Sequence, residues 1–290
     1  MIDPAPDSAI TGSPTVAQLQ AQLIRRLLAA GIDSPLPEAR ALLTHVLRLD
    51  WSGLVLAGSR LLTPAETAQL EALTLRRLAR EPLQHLLGSV DWGGVTLHVS
   101  PAALIPRPET EVLLELALAA LNGRTAPAVL DVGTGSGALA LGLAAARLDA
   151  RVSASDVSPG ALALARENAE ATGLDVMFLL SDLLERVGGR YDLIVSNPPY
   201  LPEGDRQGAQ PEVRHDPDLA LYSGPDGLEL ARRLVLQAPD HLVPGGRLLL
   251  ELDPRNVDVL AGEMRPAGWA AEVEVDLAGR RRFLSAVLVG

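Results

Sequence analysis

The apolar positions change period along the chain, and the change divides it. From Val16 the spacing is helical: Val16, Leu19, Leu23 and Leu27 share one face, Thr15 and Gln18 form a capping-box pair, and Gly31 ends the run. A second helix is predicted over residues 37–49. A third starts at Thr63, Pro64 and Glu66, which supply an N-cap, a first-turn proline and a capping carboxylate. Its arginines Arg76, Arg77 and Arg80 gather where cations suit the helix dipole, so a solvated cluster is expected, with partner binding as the alternative. Residues 1–14, rich in Pro, Asp and Ser, are expected to fray.

The period then shortens. Residues 89–92 and 95–99 flank Gly93-Gly94 as a β-hairpin, and the chain bends at Pro106 into a helix from Pro108 to Gly123. Predicted strands at 129–132, 151–155, 176–180, 191–196 and 247–252 alternate with helices at 138–148, 159–172, 227–242 and 255–266. Two closing strands, 269–276 and 282–289, have no helix between them. This order is that of a doubly wound α/β sheet ending in a hairpin. The expected division is a helical domain over 1–88, a hairpin connector over 89–105 and an α/β domain over 106–290. Residues 201–225 carry no periodic pattern, and a loop of about 25 residues inside a compact domain reads as a substrate-gating lid.

Composition narrows the classes. With 290 residues and 48% hydrophobic content, the chain can bury a sizeable core. The net charge of -11 argues against affinity for nucleic acid through phosphate neutralisation. All 25 basic residues are arginine, a bias to which no function attaches. The absence of cysteine excludes disulfides and thiolate metal sites, and no metal site is expected. No apolar run would span a bilayer, and the amino terminus lacks the basic-then-apolar order of a signal peptide, so a soluble cytoplasmic protein is expected.

Candidate chemistry sits at the carboxyl ends of predicted strands. Asn197, Pro198, Pro199 and Tyr200 follow the strand at 191–196, where open α/β sheets bind ligands. The prolines hold Asn197 extended and leave acceptors beside an aromatic face, which suits a planar –NH2 group. Taken alone, the run also reads as a Pro-Pro turn with Tyr200 as packing. Upstream, an apolar strand leads into Gly133, Thr134, Gly135, Ser136 and Gly137 and then a helix, a loop of the nucleotide-binding kind. Asp156, about 20 residues beyond, is placed to accept ribose hydroxyls. Ala138 can stand for a last glycine, so the dinucleotide pattern also fits. Asp131, able to meet a cationic amino-acid group, and the lack of a pyrophosphate-pairing basic residue at the loop favour S-adenosylmethionine. Asp182, with Leu183 against the ring, would meet the adenine amine, or is an ordinary polar strand end.

Over nearly its whole length the chain resembles the protein-(glutamine-N5) methyltransferases of peptide chain release factors. The resemblance rests on Ile105-Pro106-Arg107-Pro108-Glu109-Thr110-Glu111, Asp131 to Gly137, Asp156, Ser196 to Tyr200 and Asp226-Gly227-Leu228. It implies a seven-stranded class I S-adenosylmethionine methyltransferase sheet behind a small helical substrate-recognition domain, with class 1 release factors as protein substrate. It also implies that Asn197 and Pro198 hold the glutamine amide of a Gly-Gly-Gln segment, that Gly133 to Gly137, Asp156 and Asn197 contact the cofactor, and that the Arg107 segment lies against it. A monomer is expected. Three positions depart from the family pattern: Leu183 where an aromatic is common, His215-Asp216-Pro217 for an aromatic-Glu-Pro, and Asp253 after Glu251-Leu252. Rival readings are a glutamine methyltransferase of a ribosomal protein, a nucleic-acid amino methyltransferase, a nicotinamide-dependent dehydrogenase and a non-enzymatic nucleotide-binding module.

Overall fold

The computed structural model describes residues 14–289, so the amino-terminal segment expected to fray lies, but for its last residue, outside them. The chain divides into two compact units between Leu87 and Gly88.

The first unit is helical: α1 (Val16–Ala29), α2 (Pro35–Leu47), α3 (Trp51–Leu56), α4 (Pro64–Leu78) and α5 (Leu83–Leu87). Both predicted capping boxes form, Thr15 with Gln18 and Thr63 with Glu66. Val16, Leu19, Leu23 and Leu27 are buried against Leu42, Leu43 and Leu70. Helix α2 begins two residues earlier than predicted, because prolines at positions 35 and 37 are both compatible with a first turn. Of the three arginines at the end of α4 and just beyond it, Arg76 is solvated as expected, whereas Arg77 and Arg80 are taken up by the fold. Arg77 is buried, with Nε 2.6 Å from the Glu38 carboxylate. Arg76 pairs with Glu81, and Arg80 donates to the carbonyls of Ala30 and Gly31 at 3.1 and 2.9 Å. Packing of α4 against α1 and α2 brings orphan carbonyls and a carboxylate within reach, and the guanidinium fork takes them in place of water.

In the second unit the hairpin β1 (Ser89–Trp92) and β2 (Val95–His98) is not free-standing, since Trp92 and Leu97 are buried in this unit's core. The main sheet has the order β5-β4-β3-β6-β7-β9-β8. Its strands are β3 (Ala128–Val132), β4 (Arg151–Asp156), β5 (Met177–Leu180), β6 (Tyr191–Ser196), β7 (Leu242–Glu251), β8 (Trp269–Val275) and β9 (Arg281–Leu288). All neighbours pair in parallel except β9, antiparallel to both β7 and β8. Alternate residues serve opposite cores: Val129, Leu193 and Leu249 on one face, Leu130, Ile194 and Leu248 on the other. Helices α6 (Pro108–Ala120), α7 (Ala138–Ala146), α8 (Pro159–Thr172), α9 (Glu229–His241) and α10 (Val257–Met264) flank the sheet.

The chain moves outward from β3 through β4 to β5, then returns to the other side of β3 as β6. This reversal opens a crevice at the carboxyl ends of β3 and β6, where a doubly wound sheet binds its ligand. The segment 201–225 is not patternless: it folds into three short 3-10 turns, and its ends are tied by hydrogen bonds between Leu201 and both Leu221 and Ser223.

Candidate active site

A cavity of about 280 Å³ lies at this reversal. Asp131, Gly133, Thr134, Gly135, Ser136, Asp156, Asp182, Leu183, Asn197, Pro198, Pro199 and Arg107 all line it. Of the residues proposed from sequence, Gly137 and Tyr200 do not. Gly137 has φ 86°, and a Cβ there would stand 3.2 Å from Leu141 and 3.3 Å from Ala165, so it sets how closely the loop packs on α8. Tyr200 lines an adjoining cavity of about 230 Å³ with Glu109, Glu251 and Arg282. The two cavities meet at Leu104, Arg107, Asn197 and Ala220.

The carboxylates of the main cavity differ in their environments. Asp131 is fully buried at the end of β3; one oxygen accepts the Thr134 hydroxyl at 2.6 Å and the other has no hydrogen-bond partner among the described residues. Burial pushes its carboxyl up to about 7, against the Thr134 hydrogen bond. Asp156 at the end of β4 accepts the Gly135 and Ser158 amides at 2.9 and 2.8 Å, which fixes it to the glycine loop while each oxygen keeps a further lone pair. Burial raises its pKa as well. Asp182 is half-exposed, and Arg233 of α9 holds it at 2.8 Å. Leu183 has φ 46°, strained for a leucine, and packs against the core while lining the cavity.

Asn197 joins the cavities. The Ser196 hydroxyl donates to the Val132 carbonyl at 2.6 Å, tying the end of β6 to the end of β3 and placing Asn197 beside the glycine loop. Its Nδ2 donates to the Thr110 hydroxyl oxygen at 3.1 Å, while Oδ1 is buried without a donor among the described residues. Behind it, Tyr200 is largely buried, which raises its phenol pKa. The Tyr200 carbonyl accepts from Asn256 at 3.2 Å, and a Cβ on Gly227 would stand 2.1 Å from that oxygen. Only glycine is accommodated at 227, which accounts for the middle residue of the Asp226-Gly227-Leu228 run.

Two of the departures from the family pattern have local explanations. Asp216 is buried and accepts from Arg107 at 2.5 Å and from the Ile105 amide at 3.3 Å, so the segment after Tyr200 is latched to the Ile105–Glu111 run. Asp253 accepts the Arg255 amide at 2.8 Å and closes the turn into α10. Thr110, Asp216, Glu251 and Arg282 were not singled out from sequence as site residues. A signal existed for Glu251, an acidic residue directly after the apolar run Leu248 to Leu250, and for Asp216, which precedes Pro217 where the family pattern has Glu-Pro; its partner Arg107, 109 residues away, could not be read from the sequence.

Such an arrangement can hold a ligand bearing a cation and a sugar in one cavity and present an acceptor to an N–H group entering from the other. No helix among the described residues is long and apolar enough to cross a membrane. Residues 109–212 match the methyltransferase small domain, and residues 18–88 match the PrmC N-terminal domain. The chain is 57% identical over 272 residues to the release factor glutamine methyltransferase of Deinococcus radiodurans, covering 94% of this chain and 98% of that one. It is 40% identical over 287 residues to the protein of that name from Rhodospirillum rubrum, covering 95% and 88%. Among solved structures, a methyltransferase from Pyrococcus furiosus superposes with a TM-score of 0.52 over 68% of this chain and 90% of that one at 23% identity, a likeness of fold alone. With relatives this similar across both units, the chain belongs to the release factor glutamine methyltransferase family.

Proposed function

We propose that the protein transfers the methyl group of S-adenosylmethionine to the side-chain amide nitrogen (N5) of the glutamine in a Gly-Gly-Gln segment of a class 1 peptide chain release factor. The observation that carries this reading is the unpartnered Oδ1 of Asn197, buried where the two cavities meet. A buried acceptor without a donor is costly, and an incoming amide N–H relieves that cost.

The main cavity suits the cofactor. Asp131 offers a buried oxygen to the ammonium of the amino-acid end, Asp156 keeps lone pairs for the ribose hydroxyls, and Leu183 with Asp182 stands where the adenine would lie. Asp182 is shared with Arg233, so its hold on an exocyclic amine is weaker than that of a free carboxylate. S-adenosylmethionine supplies an electrophilic methyl group on a sulfonium centre.

The glutamine side chain approaches through the adjoining cavity, walled by Tyr200 and Leu221. An amide nitrogen is a poor nucleophile because its lone pair is delocalised. Asn197 Oδ1 and the Pro198 carbonyl accept its two N–H groups and aim the remaining electron density into the main cavity; as the nitrogen–methyl bond forms the methyl–sulfur bond breaks, and one of the two N–H protons then leaves to water. A positioned hydrogen bond of this kind contributes on the order of 3–4 kcal/mol to the transition state. Pro217, Leu219 and Ala220 of the 201–225 segment line the cofactor cavity, and the Arg107 to Asp216 latch holds that segment down; its gating role is part of this reading. The helical unit serves to recognise the whole release factor, since a specific protein interface buries roughly 1,600 Å² and one inserted side chain supplies little of that. On this reading the enzyme works as a cytoplasmic monomer and binds no nucleic acid, in keeping with its net charge of -11.

The test is incubation with methyl-labelled S-adenosylmethionine and purified release factor, followed by peptide mass mapping. Label on the glutamine of Gly-Gly-Gln is the expected result. Label elsewhere, or none, overturns the assignment.

A further inference from the structure

The glycine loop does not hold its own shape. Gly135 and Gly137 have φ 56° and 86°, so glycine stands on both sides of Ser136 and the peptide that follows Ser136 can turn over at little steric cost. Ser136 lines the main cavity. One orientation of that peptide sends its carbonyl into the protein. The other would turn an acceptor toward the cavity, where the amino-acid end of S-adenosylmethionine brings a carboxylate.

Asn168 makes the choice. It is fully buried, the one polar member of a buried face of α8 otherwise made of Ala161, Leu162, Leu164, Ala165 and Ala169. Its Nδ2 donates to the Ser136 carbonyl at 2.9 Å and to the His98 carbonyl at 3.1 Å, while its Oδ1 accepts the His98 amide at 2.7 Å. Only this orientation satisfies all three bonds, since a half-turn of the amide would set Oδ1 against two carbonyls and Nδ2 against an N–H. Asn168 does not line the cavity, so the Ser136 carbonyl that it holds points away from the ligand. The other end of the link is firm: His98 ends β2, and Trp92 and Leu97 bury the hairpin in the core of this unit. Just after the hairpin, Ala102, Ala103 and Leu104 form a wall of the same cavity.

We propose that Asn168 is a positioning residue for the cofactor: by joining the Ser136 carbonyl to strand β2 it locks the glycine loop in the form that accepts the amino-acid end, and it makes the hairpin part of the cofactor-binding frame. The inference rests on the placement of S-adenosylmethionine in the main cavity argued above.

Calorimetry with S-adenosylmethionine compares wild type, Asn168→Leu, Asn168→Asp and, as a reference for the cavity, Asp156→Ala; turnover of a Gly-Gly-Gln peptide is followed as the cofactor concentration is varied. Asn168→Asp keeps an acceptor for the His98 amide and offers at most one donor in place of two. Both Asn168 variants are expected to bind the cofactor roughly tenfold or more weakly, with the loss in KM for the cofactor and less than about threefold in kcat at saturation. A merely structural role would lower the unfolding temperature and leave the affinity of the folded protein as it was. Wild type supplies an independent reading should neither variant fold. Cofactor is expected to slow hydrogen exchange of the His98 amide, which does not line the cavity, at least about threefold more than that of amides in β8 at the far edge of the sheet. Folded variants with wild-type affinity, or equal slowing at His98 and in β8, overturn the role of Asn168. Undiminished binding by Asp156→Ala removes the placement of the cofactor and this inference with it, a result distinct from a weakened Asp156→Ala beside indifferent Asn168 variants.

Discussion

Asp131→Asn is expected to abolish a pH dependence that burial builds into cofactor binding. The Asp131 carboxyl is 1% exposed, and loss of solvation raises it from 3.8 to about 7, the Thr134 hydroxyl recovering only part of the difference. A cationic group is held by the ionised form alone, so the apparent affinity scales with the ionised fraction of the free protein. That fraction is about one tenth near pH 6 and about nine tenths near pH 8, so S-adenosylmethionine should bind roughly tenfold more weakly at the lower pH. Near pH 6, binding should also expel close to one proton. The stability of the free protein runs the opposite way. Between the unfolded carboxyl's value near 4 and the folded value near 7 the native state holds a proton that the unfolded chain has lost, so stability declines as pH rises through that window and levels above it. Removing the charge in Asp131→Asn should therefore flatten both profiles, stabilise the free protein near pH 8 and weaken cofactor binding there by about ten- to a hundredfold, the worth of a charge-assisted hydrogen bond. Titration calorimetry in two buffers of different ionisation enthalpy, near pH 6 and pH 8, reads affinity and proton release together. Wild-type affinity independent of pH with no proton released, or an unchanged slope in Asp131→Asn, refutes the pairing of Asp131 with a cation.

Asn197→Ala should reduce turnover by a hundredfold or more while calorimetry shows near-normal cofactor affinity, following the roughly 3–4 kcal/mol of one positioned acceptor; near-normal turnover would sink its role. Asp156→Ala should weaken S-adenosylmethionine at least ten- to a hundredfold, because the ribose acceptor is lost and the Gly135 and Ser158 amides lose theirs as well; unchanged affinity would mean the ribose lies elsewhere. Arg77→Met should lower stability by roughly 3 kcal/mol in urea unfolding, since it strands Glu38 in a largely buried pair, and a loss below about 1 kcal/mol would rank that pair with surface ones. Deleting residues 1–87 should depress methylation of whole release factor far more than methylation of a Gly-Gly-Gln peptide; equal losses on both would reduce the helical unit to a cap.

The features legible in the sequence are those decided within a few residues of chain. Capping boxes at Thr15 and Thr63, the strand Tyr191–Ser196 and the helix Pro159–Thr172 follow from side-chain periodicity, first-turn prolines and hydrogen bonds three positions away. The glycine loop, Asp156 and the Asn197-Pro198-Pro199-Tyr200 run were legible for the same reason, because strand ends deliver them to one edge of a doubly wound sheet. Helices α3 and α5 were not legible: six and five residues are too few to establish a period. Strand β7 begins at Leu242, five residues before its predicted start, because Pro244-Gly245-Gly246 reads as a turn until pairing of Leu242 with Tyr191 carries the strand across it. Tertiary structure alone decided the fate of the polar atoms. Arg77 meets Glu38 across 39 residues, Asn197 meets Thr110 across 87, and Asp131 and Glu251 keep unpartnered oxygens inside the protein. How far a carboxyl is desolvated, and which donors and acceptors remain for a ligand, depends on every element packed around it, and no local window of sequence contains that sum.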